Sequence, residues 1–206
     1  PYWLHEQKQI NAIVYQLYGL SEEDIREVEL WYCRRYPKLA EAQGVLAEVK
    51  QKYGEHLKRC ELVMTKGPDY WKSNPVLELI AQGEGGKLEL KDTLKIYYQC
   101  GDRNAGVLMA ALKTIAAFLN TEGGIMIIGV ADSGDIRGLE KDYKLCHKHD
   151  NDGFEQKIHS LVASRFVTQP TGKIKVSFEQ LEDKQVCVIS VEKSKDIIHL
   201  DGKDVY

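Results

Sequence analysis

The sequence predicts an α+β protein: a mixed β-sheet domain with flanking helices, preceded by an all-helical N-terminal region. Three observations carry this. Apolar residues in roughly the first 65 positions recur every three or four residues, the helical period. From about residue 87 onward, short alternating or wholly apolar runs interleave with helical patterns. Between the two lies "TKGPDYWKSNP", whose Gly, prolines and polar residues read as a linker over residues 66–75. The expected organisation is a helical region over 1–65 and an α+β domain over 76–206, cut short at its C-terminal end.

In "EQKQINAIVYQLYG", Ile10, Ile13, Val14 and Leu17 share one helical face and Gly19 supplies a stop. "SEED" then reads as a capping box, with Ser21 as N-cap and Asp24 three residues on, opening a helix whose Ile25, Val28 and Trp31/Tyr32 face one way. Pro37 starts a longer segment in which Leu39, Ala42, Leu46, Val49, Tyr53, Leu57 and Cys60 alternate three- and four-residue steps, a heptad-like seam. Gly44 and Gly54 interrupt it with poor helix formers.

Beyond the linker, "VLELIAQ" reads as a short helix leading through "GEGG" to a strand, "KLELK". Its alternation sets Leu88 and Leu90 on one face and Lys87, Glu89 and Lys91 on the other. The segment Ala105 to Leu119 is helical, with Leu108, Leu112, Ile115, Ala116 and Leu119 inward. "GIMIIGV" is too short for a helix and flanked by turn residues, so it reads as a strand buried on both faces. A helix near Phe154 to Ser164 follows, and "KIKVSFEQL" and "QVCVISVEK" form a hairpin about a turn at Glu182-Asp183.

Composition excludes several classes. Of 206 residues, 43% are apolar and 29% charged, too apolar a mix for intrinsic disorder. No apolar run nears the ~20 residues of a spanning helix, and no signal peptide opens the chain, so a cytoplasmic protein with no membrane partner is expected. Pro1 in place of Met, and "DGKDVY" ending in strand-like sequence, read as a piece of something longer. Five scattered cysteines without a C-x-x-C pair suggest reduced thiols. Net charge is −3, and residues 1–75 hold 11 basic and 11 acidic side chains, so no half of the chain is basic. Nucleic-acid binding then requires a local patch. Arg103, Lys113, Arg137, Lys141, Lys144 and Arg165 are the candidate phosphate contacts.

The stretch "AFLNTEGGIMIIGVADSGDIRG" carries a helix end, a double glycine, a buried strand and an Asp-rich turn in one run, and delivers Asp132 to a strand end. Asp-Ser-Gly is also ordinary turn chemistry, and Glu89 and Lys91 also read as a solvated strand face. The glycines are not a phosphate loop, because no G-x-x-x-x-G-K-[ST] occurs and a strand, not a helix N-terminus, follows them. "CHKHD", residues 146–150, matches no standard zinc spacing and reads as a polar loop.

Together, "KLELK", "IAAFLNTEGGIMIIGVADSGDIRGLE", "VCVISVEKS" and "DGKDVY" resemble the Schlafen-type AlbA-like domain, a family described as DNA-binding, over about residues 76–206. The resemblance implies a DNA- or RNA-binding module of a bacterial defence or transcription-regulatory protein, without a cofactor. Animal members resemble an RNase with three carboxylates, which implies an alternative: a nuclease using Mg²⁺ or Mn²⁺. On this chain the carboxylates map to Glu84, Glu89 and Asp132, both as catalytic groups and as metal ligands, and the family lysine to Lys91. Ala131 stands where the family often has a first acid, and Leu90 where Phe is common. Residues 10–32, with "INAIVYQLYGLSEEDIREVE", resemble helical tail segments of type II restriction-methyltransferases, which implies a context in DNA restriction. The remaining alternative is a dimerising module without a nucleic-acid ligand, a homodimer formed through the N-terminal helices.

Overall fold

The computed structural model describes residues 2–34, 36–94, 105–170, 172–202 and 205–206. The chain divides into two compact units, Pro1–Glu61 and Leu62–Tyr206.

The first unit is helical, as the spacing predicts: α1 (Tyr2–Leu17), α2 (Glu22–Cys33), α3 (Pro37–Ala42) and the start of α4 (Leu46–Lys72). The capping box at α2 forms as read, with the Asp24 amide donating to Ser21 Oγ at 3.2 Å and the Ser21 amide to Asp24 Oδ2 at 3.0 Å. Gly44 divides the segment after Pro37 into two helices instead of one. Leu30, Cys33, Ala40, Val49 and Leu57 make a small core. Part of the predicted seam therefore faces inward. Ile10, Ile13, Val14 and Leu17 of α1 stay exposed.

The segment read as a linker is helical through Lys72, and α4 runs over Gly67 (φ 77°) and Pro68. Burial outweighs the turn chemistry here. Trp71 is 5% exposed and its Nε1–H donates to the Val63 carbonyl at 3.1 Å, so the last turns of α4 belong to the second unit's core. Asn74 then caps α5 (Pro75–Gln82) by accepting from the Val76 amide at 2.7 Å.

The second unit is built on a four-stranded sheet of order β1-β2-β4-β3, with β1 (Leu88–Lys91), β2 (Gly124–Ile128), β3 (Ile174–Leu181) and β4 (Lys184–Val191). β1 runs parallel to β2, and the other neighbours are antiparallel, so the sheet is mixed as expected. α6 (Ala105–Asn120), α7 (Glu140–Tyr143) and α8 (Asn151–Arg165) complete the unit. The short α7 has no counterpart in the sequence reading. Its four residues are too few to show a period.

Two apolar layers sandwich the sheet. One joins α6 and α8 to Met126, Ile128 and Ile189; the other joins α4 and α5 to Leu88, Leu90, Ile127 and Val188. β2 contributes to both, which is why its sequence does not alternate. The double glycine before it answers to two contacts. A Cβ on Gly123 (φ 80°) would lie 2.6 Å from the Val191 carbonyl, and one on Gly124 would lie 2.6 Å from the Phe118 ring. No helix among the described residues is long and apolar enough to cross a membrane.

Candidate nucleic-acid interface

β1 is the edge strand, and its register fixes which groups face out. The Lys87 and Lys91 carbonyls accept from the Ile125 and Gly129 amides of the β2 segment, both at 2.8 Å. Leu88 and Leu90 therefore turn their main-chain groups to the open edge. Gly85 bridges Leu88 there, and the Glu84 carboxylate accepts from the Leu90 amide at 3.2 Å. The Lys91 ammonium donates to the Leu90 carbonyl at 3.2 Å. Side chains thus occupy both edge groups of Leu90, which would otherwise offer a template for another strand.

Glu89 and Lys91 emerge on the face opposite Leu88 and Leu90, as the alternation requires, beside Met126 and Ile128 of β2. They do not form a solvated strand face. Their side chains are 26% and 20% exposed and pair with each other, so the charges neutralise one another at a half-buried position.

Asp132 follows β2 in a turn. Val130 bridges Ile136, the Gly134 amide donates to the Ala131 carbonyl at 2.7 Å, and Ser133 Oγ donates to Asp135 Oδ2 at 2.8 Å. This turn is held by Ser133 and Asp135, which leaves the Asp132 carboxylate exposed and without a hydrogen bond among the described residues. Since the Lys91 carbonyl also accepts from the Val130 amide at 3.1 Å, the turn starts at the carboxyl end of β1.

The structure brings Glu84, Glu89, Lys91 and Asp132 within electrostatic reach of one another. Burial pushes the Glu84 carboxyl above the usual carboxylate range, and the negative charges of Glu89 and Asp132 add to the rise; the Leu90 amide and the Lys91 ammonium oppose it. Although Glu84 as a residue is exposed, its carboxylate folds back against the strand.

Carboxylate oxygens are suitable donors for Mg²⁺ or Mn²⁺. Here, however, Glu84 holds the Leu90 amide, Glu89 holds Lys91, and Asp132 stands out on its turn. Among the described residues no group of three His, Cys, Asp or Glu side chains is placed to hold a metal ion.

The basic candidates lie on several elements. Thr93 Oγ1, just beyond β1, donates to the buried Asp142 of α7 at 2.8 Å, which sets the exposed Lys141 and Lys144 near the carboxyl end of β1. Lys113 on α6 stacks its ammonium 5.0 Å from the centre of the Tyr206 ring. The Arg165 Nη1 donates to both oxygens of Asp201 at 3.0 Å, so one nitrogen of its guanidinium is engaged within the protein. Arg137 stands 3.6 Å from Asp135. Arg103 lies outside the described residues. Lys66 and Lys184 were not singled out by the sequence, yet both come beside Arg137. Residues 66, 137 and 184 share no local motif that would have signalled this.

Comparison with known proteins matches the family model "Schlafen, AlbA_2" to residues 84–206. No curated protein matches the chain. Among solved structures, the chain is similar to the N-terminal domain of a protein related to the ATP-dependent DNA helicase RecG, from Nitrosomonas europaea. That similarity has 18% identity and a TM-score of 0.43, covering 62% of this chain and 81% of that one. It is also similar to the DIP2311 protein of Corynebacterium diphtheriae, at 17% identity and a TM-score of 0.38, covering 61% of this chain and 23% of that one. With the family model spanning more than half of its length, from Glu84 through the carboxylates and the glycine pair to Tyr206, this chain belongs to the Schlafen AlbA_2 family.

Proposed function

We propose that the Schlafen AlbA_2 domain of this chain is a nucleic-acid-binding module, with DNA as its ligand, serving a bacterial defence or transcription-regulatory protein. The observation that carries this reading is the Thr93–Asp142 hydrogen bond, which puts the exposed Lys141 and Lys144 at the same end of the sheet as Lys91. The carboxyl ends of the parallel pair β1 and β2 lie side by side there. The exposed ammonium groups of Lys141 and Lys144 suit phosphate oxygens. Of the acids beside them, Glu84 and Glu89 are engaged with protein groups, which suits binding more than cleavage.

The nearness of Glu89 and Asp132 to Glu84, whose carboxyl burial raises and these two charges raise further, favours a second reading, a divalent-cation-dependent nuclease in which Glu84, Glu89 and Asp132 act together. The exposed apolar face of α1 favours self-association of the first unit, read by sedimentation.

The test incubates the chain with labelled duplex DNA, single-stranded DNA and tRNA across a salt series, with Mn²⁺ or with EDTA. The binding reading expects retention that weakens steeply with salt and leaves the polymer intact. Products formed with Mn²⁺, absent with EDTA and absent in Glu89→Ala, would establish the nuclease instead. The absence both of retention at low salt and of products with Mn²⁺ would overturn both.

A further inference from the structure

A cleft of about 290 Å³ opens between the last turns of α4, the turn after β2 and the β3–β4 turn, all within the second unit. Three cations reach it from remote parts of the sequence: Lys66, Arg137 and Lys184. Bringing like charges together is unfavourable unless something balances them. Two acids are present, and both are shared. Glu182 Oε1 accepts from the Lys66 ammonium and from the Tyr70 hydroxyl, each at 2.8 Å. Asp135 Oδ2 accepts from Ser133 Oγ at 2.8 Å, while the Arg137 guanidinium stands 3.6 Å from that same oxygen, beyond a direct hydrogen bond. The Lys184 ammonium has a neutral partner, the Ile136 carbonyl, at 3.0 Å. The cleft therefore carries surplus positive charge and unspent guanidinium donors.

An aromatic wall stands beside the cations. The Tyr70 and Trp71 rings meet edge to face at 4.9 Å between centroids, and the Lys66 ammonium lies 4.6 Å from the centre of the Tyr70 ring. Burial, together with the Glu182 carboxylate, pushes the Tyr70 phenol up to about 12, so it stays a neutral hydrogen-bond donor at physiological pH. Cation donors and a flat ring beside one small opening are the groups that hold a phosphate with its sugar. The volume lies just below the ~300 Å³ at which drug-sized pockets begin, enough for one phosphodiester and its sugar.

We propose that this cleft seats a backbone phosphodiester of a bound nucleic-acid strand, with Arg137 and Lys184 on the phosphate oxygens and the sugar against Tyr70. The inference rests on the nucleic-acid reading above and gives it a second contact, distinct from Lys91, Lys141 and Lys144.

The experiment measures retention of labelled single-stranded and duplex oligonucleotides by the whole chain across a salt series. Wild type is compared with Arg137→Gln, Lys184→Gln, the double variant and Glu182→Gln, and inorganic phosphate is added as a separate probe. The double variant should bind roughly tenfold or more weakly, with a salt slope smaller by about 1 to 2. Glu182→Gln should bind several-fold more tightly, a gain that loss of folding cannot imitate. Wild-type affinity and slope in the double variant would overturn the cleft and leave the nucleic-acid reading standing. Inorganic phosphate binding that the variants abolish, with oligonucleotide retention unchanged, would also overturn it, in favour of a free-phosphate site. No retention by wild type would overturn both readings.

Discussion

The Glu84 carboxylate accepts a hydrogen bond from the Leu90 amide at 3.2 Å, across the four-residue turn that opens β1. A residue that the family resemblance marks as a candidate catalytic acid therefore also closes the free edge of the sheet. The two roles use the same oxygens. An ion drawn to Glu84 would compete with a main-chain amide for them.

Replacing Glu84 separates its acceptor from its charge. Glu84→Gln keeps an oxygen for the Leu90 amide, whereas Glu84→Ala leaves that amide to water or to another strand. The alanine variant should be less stable than the glutamine variant by about 1 kcal/mol. It should also scatter more light at high protein concentration. Denaturant midpoints and static scattering of the two proteins read this directly.

The raised Glu84 carboxyl has a pH signature. A carboxyl lifted above its ordinary 4.5 binds its proton more tightly in the folded chain than in the unfolded one. It therefore contributes stability that is fully present below 4.5 and lost as pH rises through the folded value. Glu84→Gln has no such contribution, so wild type should gain stability relative to this variant as pH falls from neutrality towards 4.5. Paired urea titrations at several pH values test it. A constant difference between the two would refute the assignment.

Gly123 and Gly124 should respond differently to alanine. At Gly123 the added methyl meets the Val191 carbonyl, which is main chain within the sheet, and the backbone sits at φ 80°. Gly123→Ala should cost about 3 kcal/mol or more. At Gly124 the obstacle is the Phe118 ring, a side chain able to shift, so Gly124→Ala should cost about 1–2 kcal/mol. Thermal and denaturant unfolding rank the two.

Asn120, the first residue of "NTEGG", fastens the C-terminal segment. Its Oδ1 accepts from the Ile198 amide at 2.8 Å, and its Nδ2 donates to the carbonyls of Ile198 and Tyr206 at 2.9 and 3.1 Å. Asn120→Ala should cost about 2 kcal/mol and make the segment after Val191 sensitive to proteases. Asn120→Asp should share the defect, because a carboxylate accepts but cannot donate to those carbonyls. Limited proteolysis followed by mass spectrometry gives the readout.

Much of the fold was legible because it follows from local periods. The Leu88/Leu90 alternation, the apolar run Ile125–Ile128 and the Ser21–Asp24 capping box each dictate their element within a few residues. "TKGPDYWKSNP" misled because Gly67, Pro68 and Pro75 carry the local signal, while the force that keeps the segment helical is the burial of Trp71 against strands far away in sequence. The candidate site was legible only in part. Family spacing brought Glu84, Glu89, Lys91 and Asp132 together, but not the capture of Glu84 by the Leu90 amide, a contact that depends on which way an edge strand turns its main chain. The meeting of Lys66, Arg137 and Lys184 has no linear signature at all, since it exists only once the β3–β4 turn comes up beside α4.

Trp71, Val76, Leu77 and Ile80 all precede the first residue of the family match, yet they fill the layer against Leu88, Ile127 and Val188. A truncation at Glu84 that follows the family boundary would strip one side of the sheet and present bare aliphatic surface to water. The compact unit Leu62–Tyr206 is therefore longer than its homology: whoever excises it for expression or grafting must carry the end of α4 along.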